Sequence, residues 1–223
     1  DTGEILWTHR GLEETAGLLG GGGPAVSGSF VVVTYSSGEI YAFRSENGRV
    51  VWSDTLAYAA RLDSLAALND INGSAVIDRG LVFAVSHSGR LVAIDLASGG
   101  RLWERDISGV QTPWVAGDYL YLVTLDGQVV CMLRQDGRIR WVSALPQFED
   151  EEDREDPIHW SGPILVGDRL LVPGTDGMAA AISPYTGALL GMVDMGSGLP
   201  LPPIAANNTV LFIEDSGEII ALR

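Results

Sequence analysis

The chain has 223 residues, with 14 basic and 29 acidic side chains, and its formal net charge of −15 disfavours nucleic acid as a partner. A hydrophobic content of 46% with 19% charged residues is too apolar for a disordered acidic chain, so we expect a packed core. The 28 glycines and 10 prolines favour many turns, and therefore an all-β fold, over long helices.

Cysteine content and hydropathy limit the chain further. Cys131 is the single cysteine, which excludes an intramolecular disulfide and a cysteine-rich metal site. No apolar run approaches the 18 or more residues that span a bilayer. The sequence from Asp1 onward lacks the features of a signal peptide, and we expect any targeting signal or lipid attachment site to lie upstream.

A short glycine-containing segment recurs along the chain. Residues 37–43 (SGEIYAF) are similar to residues 88–94 (SGRLVAI) and 126–132 (DGQVVCM), and weaker copies begin at Asp176 and Ser216. The glycines of the five copies are Gly38, Gly89, Gly127, Gly177 and Gly217. A second glycine follows ten residues after the first, at Gly48, Gly99, Gly137 and Gly187. The position four residues later holds Trp52, Trp103, Trp141 and, in the fourth copy, Gly191; Trp7 stands in the same relation to Gly3.

Each copy predicts a small antiparallel unit. In the third unit the pattern gives strands over 119–124, 128–133 and 138–144, with a short strand over 114–116. The glycines supply the positive φ that hairpin turns require. Four-stranded repeats of this length are the blades of a β-propeller.

We therefore predict one β-propeller domain, or a fragment of one, over residues 1–223. The four full units cover about 24–73, 74–112, 113–162 and 163–202. Partial units at 1–23 and 203–223 together amount to a fifth blade. The tryptophans fall on the outermost strand of each unit, where a large ring packs against the next blade. A ring stacked on a cofactor would instead need a unique position at the channel wall.

The motifs carry a family resemblance. Residues 98–103 (SGGRLW) and 1–7 (DTGEILW) resemble the tryptophan-docking motif of PQQ-type propeller repeats. Quinoprotein dehydrogenases and the BamB family share that motif, and the order of blades and insertions here is more similar to the C-terminal part of BamB. The ending at 216–223 is also similar. The resemblance implies an eight-bladed parent, so the present blades form either an open ring or a smaller ring closed by pairing of 4–10 with 218–223. We expect the two ends to pair, because propellers protect their edge strands by closure.

The resemblance also implies a function. It predicts a non-catalytic scaffold subunit of the outer-membrane β-barrel assembly (BAM) complex, without a cofactor, at the periplasmic face of a Gram-negative outer membrane. The implied partner is the POTRA region of BamA. Membrane association would come through a lipid anchor that this chain does not contain.

Three connectors between a tryptophan and the next unit are long, and long loops on one face of a rigid scaffold often carry recognition. In the first long connector, the resemblance places Leu18 and Leu19 at a Leu-Arg pair that helps to bind BamA, with Leu19 in the place of the Arg. The two leucines could instead fasten the loop to the propeller.

The second long connector resembles an Arg-Leu-x-Asp-x-Asp stretch that supplies acidic contacts to BamA. Asp70 matches the first acid, and Asn72 replaces the second. Alternatively, Asp70 caps a turn through its side chain.

The third long connector contains an acidic run at 149–157 (EDEEDREDP). It lacks the spacing of a calcium-binding loop. A solvated acidic loop is one interpretation, and electrostatic steering towards a basic surface is its expected use.

The sequence shows no catalytic apparatus. Quinoprotein dehydrogenases hold their quinone with Arg and calcium and often have adjacent cysteines, which this chain lacks. His9, His87 and His159 occupy unrelated repeat positions, and no lysine follows the glycines at 20–23 as in a phosphate loop. We predict no catalytic residue and no metal site. A PQQ-dependent dehydrogenase fragment, or a propeller with another periplasmic partner, remains the alternative.

Overall fold

The computed structural model describes residues 3–12, 22–56, 71 and 73–223. Every regular element in these ranges is a β-strand, which confirms the all-β prediction. Within the same ranges, no helix has the length and apolar character needed to cross a bilayer.

Four sheets have four strands each. The first contains β1 (Ala25–Ser27), β2 (Phe30–Thr34), β3 (Glu39–Arg44) and β4 (Val50–Thr55). The second contains β5 (Val76–Asp78), β6 (Leu81–Val85), β7 (Leu91–Asp95) and β8 (Arg101–Arg105). The third contains β9 (Trp114–Ala116), β10 (Tyr119–Val123), β11 (Gln128–Leu133) and β12 (Ile139–Ala144). The fourth contains β15 (Ile164–Val166), β16 (Arg169–Pro173), β17 (Met178–Ile182) and β18 (Leu189–Asp194).

Two smaller elements complete the described structure. An acidic hairpin is formed by β13 (Phe148–Asp150) and β14 (Glu155–Pro157). The fifth sheet has three strands, β19 (Ile204–Ala206), β20 (Thr209–Ile213) and β21 (Ile219–Leu222). In each of the five larger sheets, strands that are consecutive in the chain are neighbours and antiparallel, as expected for propeller blades.

The turn glycines explain how the middle strands of each sheet are connected. Gly38, between β2 and β3, has φ +81°, and its N–H donates to the carbonyl oxygen of Tyr35 at 3.0 Å. Gly177, between β16 and β17, has φ +84° and donates in the same way to Gly174. Residues with a Cβ are disfavoured at such angles, so the repeated glycine fixes the position of the turn.

The chain divides into two compact units, each with its own core. The first comprises Asp1–Pro113 with Gln135–Gly137, and the second Trp114–Arg134 with Arg138–Arg223. In the first unit, the sheets pack through residues such as Val32, Ile40 and Val82. In the second unit, the core includes Leu170 and Val172, and a smaller cluster around Phe212 joins the fourth and fifth sheets.

Three sheets place their tryptophan opposite a small residue of the third strand. The paired residues are Ala42 and Trp52, Ala93 and Trp103, and Cys131 and Trp141. A register shift follows immediately after each of these third-strand residues and recurs in the fourth sheet between Ala181 and Ile182. At the shift, the fourth strand has one more residue than the third, which is a β-bulge, and the bulge recurs at the same position in all four sheets.

Each tryptophan ring lies on the second glycine of the next unit. A Cβ added to that glycine would lie 2.6 Å from Trp7 at Gly48, 2.6 Å from Trp52 at Gly99, 2.8 Å from Trp103 at Gly137 and 2.6 Å from Trp141 at Gly187. Among these docked rings, the indole N–H of Trp7 donates to the Ser45 carbonyl (2.9 Å), that of Trp52 to Leu96 (2.8 Å) and that of Trp141 to Pro184 (3.1 Å). Glycine is therefore required at the docking position by close approach as well as by φ.

The structure differs from the sequence prediction near the start of the chain and in the third long connector. Residues 4–10 were expected to form an outer strand, but the described residues 3–12 contain none. The fifth sheet ends at β21 with three strands, and the pairing of residues 4–10 with 218–223 stays a prediction. The acidic run, expected to be a loop, forms the β13–β14 hairpin instead.

Candidate partner-binding site

The four residues that the sequence assigns to partner binding lie outside the described residues. They are Leu18 and Leu19 in the first long connector and Asp70 and Asn72 in the second. The described residues on either side of the two connectors nevertheless show where each loop leaves the first sheet and where it returns.

The Glu39 carboxylate holds the first long connector at Leu12, the last described residue before the connector leaves the described structure. Glu39 Oε2 accepts hydrogen bonds from the Leu12 N–H (3.2 Å) and the Ser37 hydroxyl (2.9 Å), and Oε1 accepts one from the Tyr41 hydroxyl (3.0 Å). Burial favours a higher pKa for Glu39, but these hydrogen bonds outweigh it and the pKa is lowered. The carboxylate therefore stays ionised and fastens the start of the loop to the β2–β3 turn.

An aromatic cluster supports the same end of the loop. His9 Nδ1 and the Tyr35 hydroxyl are 2.7 Å apart, and the His9 ring centroid is 4.8 Å from Tyr41 and 4.6 Å from Phe43. Gly11 passes so close to the Tyr35 ring that an added Cβ would lie 2.5 Å away. Trp7, His9 and Gly11 thus pack on the first sheet and position the described start of the connector.

The two connectors return to the fold side by side. A Cβ added to Gly22, at the end of the first connector, would lie 2.7 Å from the Gly73 carbonyl oxygen at the end of the second. That carbonyl also accepts a hydrogen bond from the Thr34 hydroxyl at 3.3 Å. Gly73 in turn lies against the backbone of Gln111, where an added Cβ would be 2.7 Å from the carbonyl oxygen. The loop ends therefore form one continuous row of backbone contacts.

The second long connector starts and ends in the core of the first unit. Leu56 is fully buried and Ile71 is 2% exposed, and both belong to the same hydrophobic cluster. The Leu56 N–H donates to the Gly38 carbonyl at 2.7 Å, so the loop leaves the fold beside the β2–β3 turn. Both candidate loops therefore emerge from the end of the first sheet at which Gly38 and Glu39 lie.

The third long connector contains the acidic hairpin, which lies in the second unit. The Glu151 carboxylate accepts a hydrogen bond from the Gln147 N–H at 2.7 Å, and the Arg154 guanidinium lies 5.5 Å from the Phe148 ring centroid. All residues from Glu149 to Pro157 are exposed. The hairpin therefore presents a strongly negative surface, as expected from the acidic run. Its two strands were not predicted, because Asp and Glu have low β propensity.

The other candidate groups for chemistry are dispersed. Cys131 is buried, and burial raises the pKa of its thiol to about 11, although a hydrogen bond with Tyr121 opposes the shift. In the described ranges, no group of three or more His, Cys, Asp or Glu side chains is arranged to hold a metal ion.

The blade-like sheets and their docked tryptophans place the chain among propeller-repeat proteins. A family model described as "Outer membrane protein assembly factor BamB" matches residues 1–143. The chain therefore belongs to the BamB family, which confirms the resemblance inferred from the repeat motifs.

Individual relatives extend the match along the chain. "Outer membrane protein assembly factor BamB" from Yersinia pestis is 25% identical over 222 residues, which cover 98% of this chain and 54% of the relative. The crystal structure of BamB from Moraxella catarrhalis has a TM-score of 0.82 at 20% identity and covers 98% of this chain and 63% of that one. The chain spans about half the length of the curated relatives it matches.

The fold is also shared with an enzyme. Quinohemoprotein alcohol dehydrogenase from Comamonas testosteroni matches with a TM-score of 0.68 at 16% identity, over 92% of this chain and 41% of the enzyme. At that identity the likeness concerns the fold alone.

Proposed function

We propose that this chain is part of a non-catalytic scaffold subunit that takes part in the assembly of outer-membrane β-barrel proteins within the BAM complex. The observation that carries the proposal is the BamB family match over residues 1–143. The proposal assigns the protein to the periplasmic side of the outer membrane of a Gram-negative bacterium, without a cofactor or a catalytic step.

The proposed partner is the POTRA region of BamA, bound by the first and second long connectors. Leu18 and Leu19 would supply apolar contact, and Asp70 with Asn72 the polar contact. The common origin of the two loops supports this assignment, because Leu12 and Leu56 both hydrogen-bond to the β2–β3 turn. Loops that start from neighbouring, hydrogen-bonded points can contact a partner together at a lower entropic cost of ordering.

A binding titration with charge-matched variants tests the proposal. The 223-residue chain would be titrated with the POTRA region of BamA from the same organism, followed by calorimetry. We expect saturable binding that Asp70→Arg weakens by at least about tenfold, since a reversed charge at an interface is repelled by the group it formerly paired with. Glu46→Arg is the matched control, because Glu46 is an exposed acid in the turn between β3 and β4, at the other end of the first sheet.

The stability of each variant separates binding from folding. We expect Asp70→Arg and Glu46→Arg to keep the melting temperature of the wild type. If Asp70→Arg unfolds the chain, Asp70 caps a turn, and the assignment of that contact is wrong. If the folded wild type does not bind the POTRA region but retains another periplasmic protein, the scaffold has a different partner.

A further inference from the structure

The starts of the two long connectors are both held at the β2–β3 turn, but by different groups. The Leu56 N–H donates to the backbone carbonyl of Gly38 at 2.7 Å, and its counterpart Leu145 makes the same contact in the third sheet at 2.9 Å. This backbone contact belongs to the repeat. The Leu12 N–H instead donates to a side chain, the carboxylate of Glu39, at 3.2 Å. The hold on the first connector therefore depends on the identity of one residue.

The Glu39 carboxylate also fixes the turn itself. The oxygen that accepts from Leu12 accepts a second hydrogen bond from the Ser37 hydroxyl at 2.9 Å, and the other oxygen accepts one from the Tyr41 hydroxyl at 3.0 Å. Ser37 is 7% exposed and directly precedes Gly38, whose carbonyl holds the second connector. One side chain therefore joins the start of the first connector to the turn that holds the start of the second.

The turn forms without an acid in the other repeats. The residues that follow the turn glycine there are Arg90, Gln128, Met178 and Glu218. In the first sheet the Tyr35 N–H donates to the Glu39 carbonyl at 2.9 Å, and in the fourth sheet the Gly174 N–H donates to the Met178 carbonyl at 2.8 Å. Because methionine supports the same backbone contact, the acid at position 39 is explained by what its side chain binds.

The contact with Leu12 depends on where the acceptor oxygen lies. A backbone N–H has a fixed direction, whereas the hydroxyls of Ser37 and Tyr41 can rotate to donate or to accept. The Leu12 N–H therefore needs an oxygen at one place, which the length of the side chain at position 39 determines.

We propose that Glu39 is a positioning residue of the partner-binding site, whose carboxylate fixes the start of the first long connector relative to the turn that holds the second. Glu39 needs no contact with the partner for this role. Fixing both loop starts in advance reduces the conformational entropy that is lost on binding. The effect on binding rests on the proposed function, whereas the effect on Leu12 can be measured without a partner.

Two variants of Glu39 separate the reach of the side chain from its charge. Glu39→Gln keeps the length and one acceptor oxygen, and its amide can donate to the Tyr41 hydroxyl. Glu39→Asp keeps the charge but withdraws both oxygens by one carbon–carbon bond. We expect Glu39→Asp to weaken binding to the POTRA region of BamA by at least about fivefold, and Glu39→Gln to bind within about twofold of the wild type. Glu218→Asp is the matched control, because Glu218 is exposed at the corresponding position of the fifth repeat.

Hydrogen exchange tests the positioning in the absence of a partner. The Leu12 amide, followed by NMR, should exchange at least about tenfold faster in Glu39→Asp than in the wild type or Glu39→Gln, because it loses its acceptor.

A second pair of variants changes the donor and leaves the carboxylate intact. Leu12→Pro removes the N–H, and Leu12→Ala keeps it. Leu12→Pro should weaken binding as Glu39→Asp does, and Leu12→Ala should bind like the wild type. Thermal unfolding checks that each variant is folded before its binding is compared.

Three results would overturn the proposal. If Glu39→Asp binds like the wild type and Glu39→Gln does not, Glu39 acts on the partner through its charge. Equal protection of the Leu12 amide in all Glu39 variants would show that the carboxylate does not fix the connector. Faster Leu12 exchange with unchanged binding would show that the partner does not need the connector fixed. If the wild type does not bind the POTRA region, the proposed function fails, and the Leu12 exchange rates alone decide whether Glu39 fixes the connector.

Discussion

The contact between the first and second sheets differs from the contact between the fourth and fifth sheets. Between the first and second sheets, Trp52 is 7% exposed, rests on Gly99 and donates to the Leu96 carbonyl. Between the fourth and fifth sheets, the equivalent residue is Gly191, and a cavity occupies the space. The difference teaches that the strands of a sheet form without the tryptophan, and that the fourth and fifth sheets are joined instead by the cluster around Phe212.

The two pairs of sheets also differ at the outer strands: the first pair has an ion pair there, and the last pair has an exposed valine. Arg101 of β8 binds both carboxylate oxygens of Asp54 in β4, at 2.6 and 2.8 Å. The residue of β18 that corresponds to Asp54, two positions after the ring position, is Val193, which is 55% exposed. The first pair is thus sealed by a ring and an ion pair, and the last pair is open and apolar.

The largest expected effect comes from removing the ring. Trp52→Ala should lower the free energy of unfolding by about 3–5 kcal/mol, because it leaves a cavity and an unpaired carbonyl at Leu96. Denaturant unfolding followed by circular dichroism measures the change. Tyr185→Ala is the control, since Tyr185 is 79% exposed and should cost less than about 0.5 kcal/mol. Equal losses would mean that the docked ring does not hold the sheets together.

The docking glycine gives the next largest effect. Gly99→Ala should cost about 1–3 kcal/mol more than Gly117→Ala, because its Cβ would overlap Trp52. Both glycines have positive φ, +75° and +60°, but a Cβ at Gly117 would meet nothing within 4 Å. The difference between the two unfolding free energies therefore isolates the contact from the backbone strain. A difference near zero would contradict the close packing of ring and glycine.

Filling the open pair should stabilise it. Gly191→Trp is expected to raise the free energy of unfolding by about 1 kcal/mol, from buried ring area and from reduced freedom of the unfolded chain. Leu190→Trp, on the exposed face of the same strand, should change it by less than about 0.5 kcal/mol. Thermal and denaturant unfolding of the two variants would show the contrast. If Gly191→Trp lowered the free energy of unfolding and Leu190→Trp did not, the space between the sheets could not accept a ring.

The ion pair should have the smallest effect. Asp54→Asn is expected to cost about 0.5–1 kcal/mol at low salt, because the side chains of Arg101 and Asp54 are 27% and 20% exposed and Glu104 also pairs with Arg101. Asp168→Asn breaks a pair whose Asp side chain is 71% exposed and should have almost no effect. A loss that is insensitive to salt would indicate that the hydrogen bonds, rather than the charges, seal this edge.

The repeat made most of the fold predictable. The pattern predicts strands over 119–124 and 128–133, and the structure has β10 at Tyr119–Val123 and β11 at Gln128–Leu133. Glycine turns and alternating apolar residues are local signals, so they can be read without knowing what packs against them. The exception at Gly191 was also visible in the sequence, but its consequence, a cavity, depends on the facing sheet.

Features that depend on a partner strand were not predictable. Residues 4–10 have the composition of an outer strand, yet a strand needs a neighbour to accept its backbone hydrogen bonds.

Two further features were missed because they depend on particular side-chain contacts. The acidic hairpin is held by contacts such as that of the Gln147 N–H with the Glu151 carboxylate, which composition does not reveal. The base of the candidate site was missed as well, because Glu39 lies inside a repeat motif and its hydrogen bond to Leu12 spans 27 positions.

The burial of Cys131 gives the protein an internal chemical probe. Its side chain lies between Tyr121 and Trp141 in the strand register, it is 1% exposed, and its pKa is raised to about 11. Alkylating reagents attack the exposed thiolate, so the native chain should react only when β11 separates from its neighbours. The alkylation rate therefore reports how often the third sheet opens, without any label being introduced.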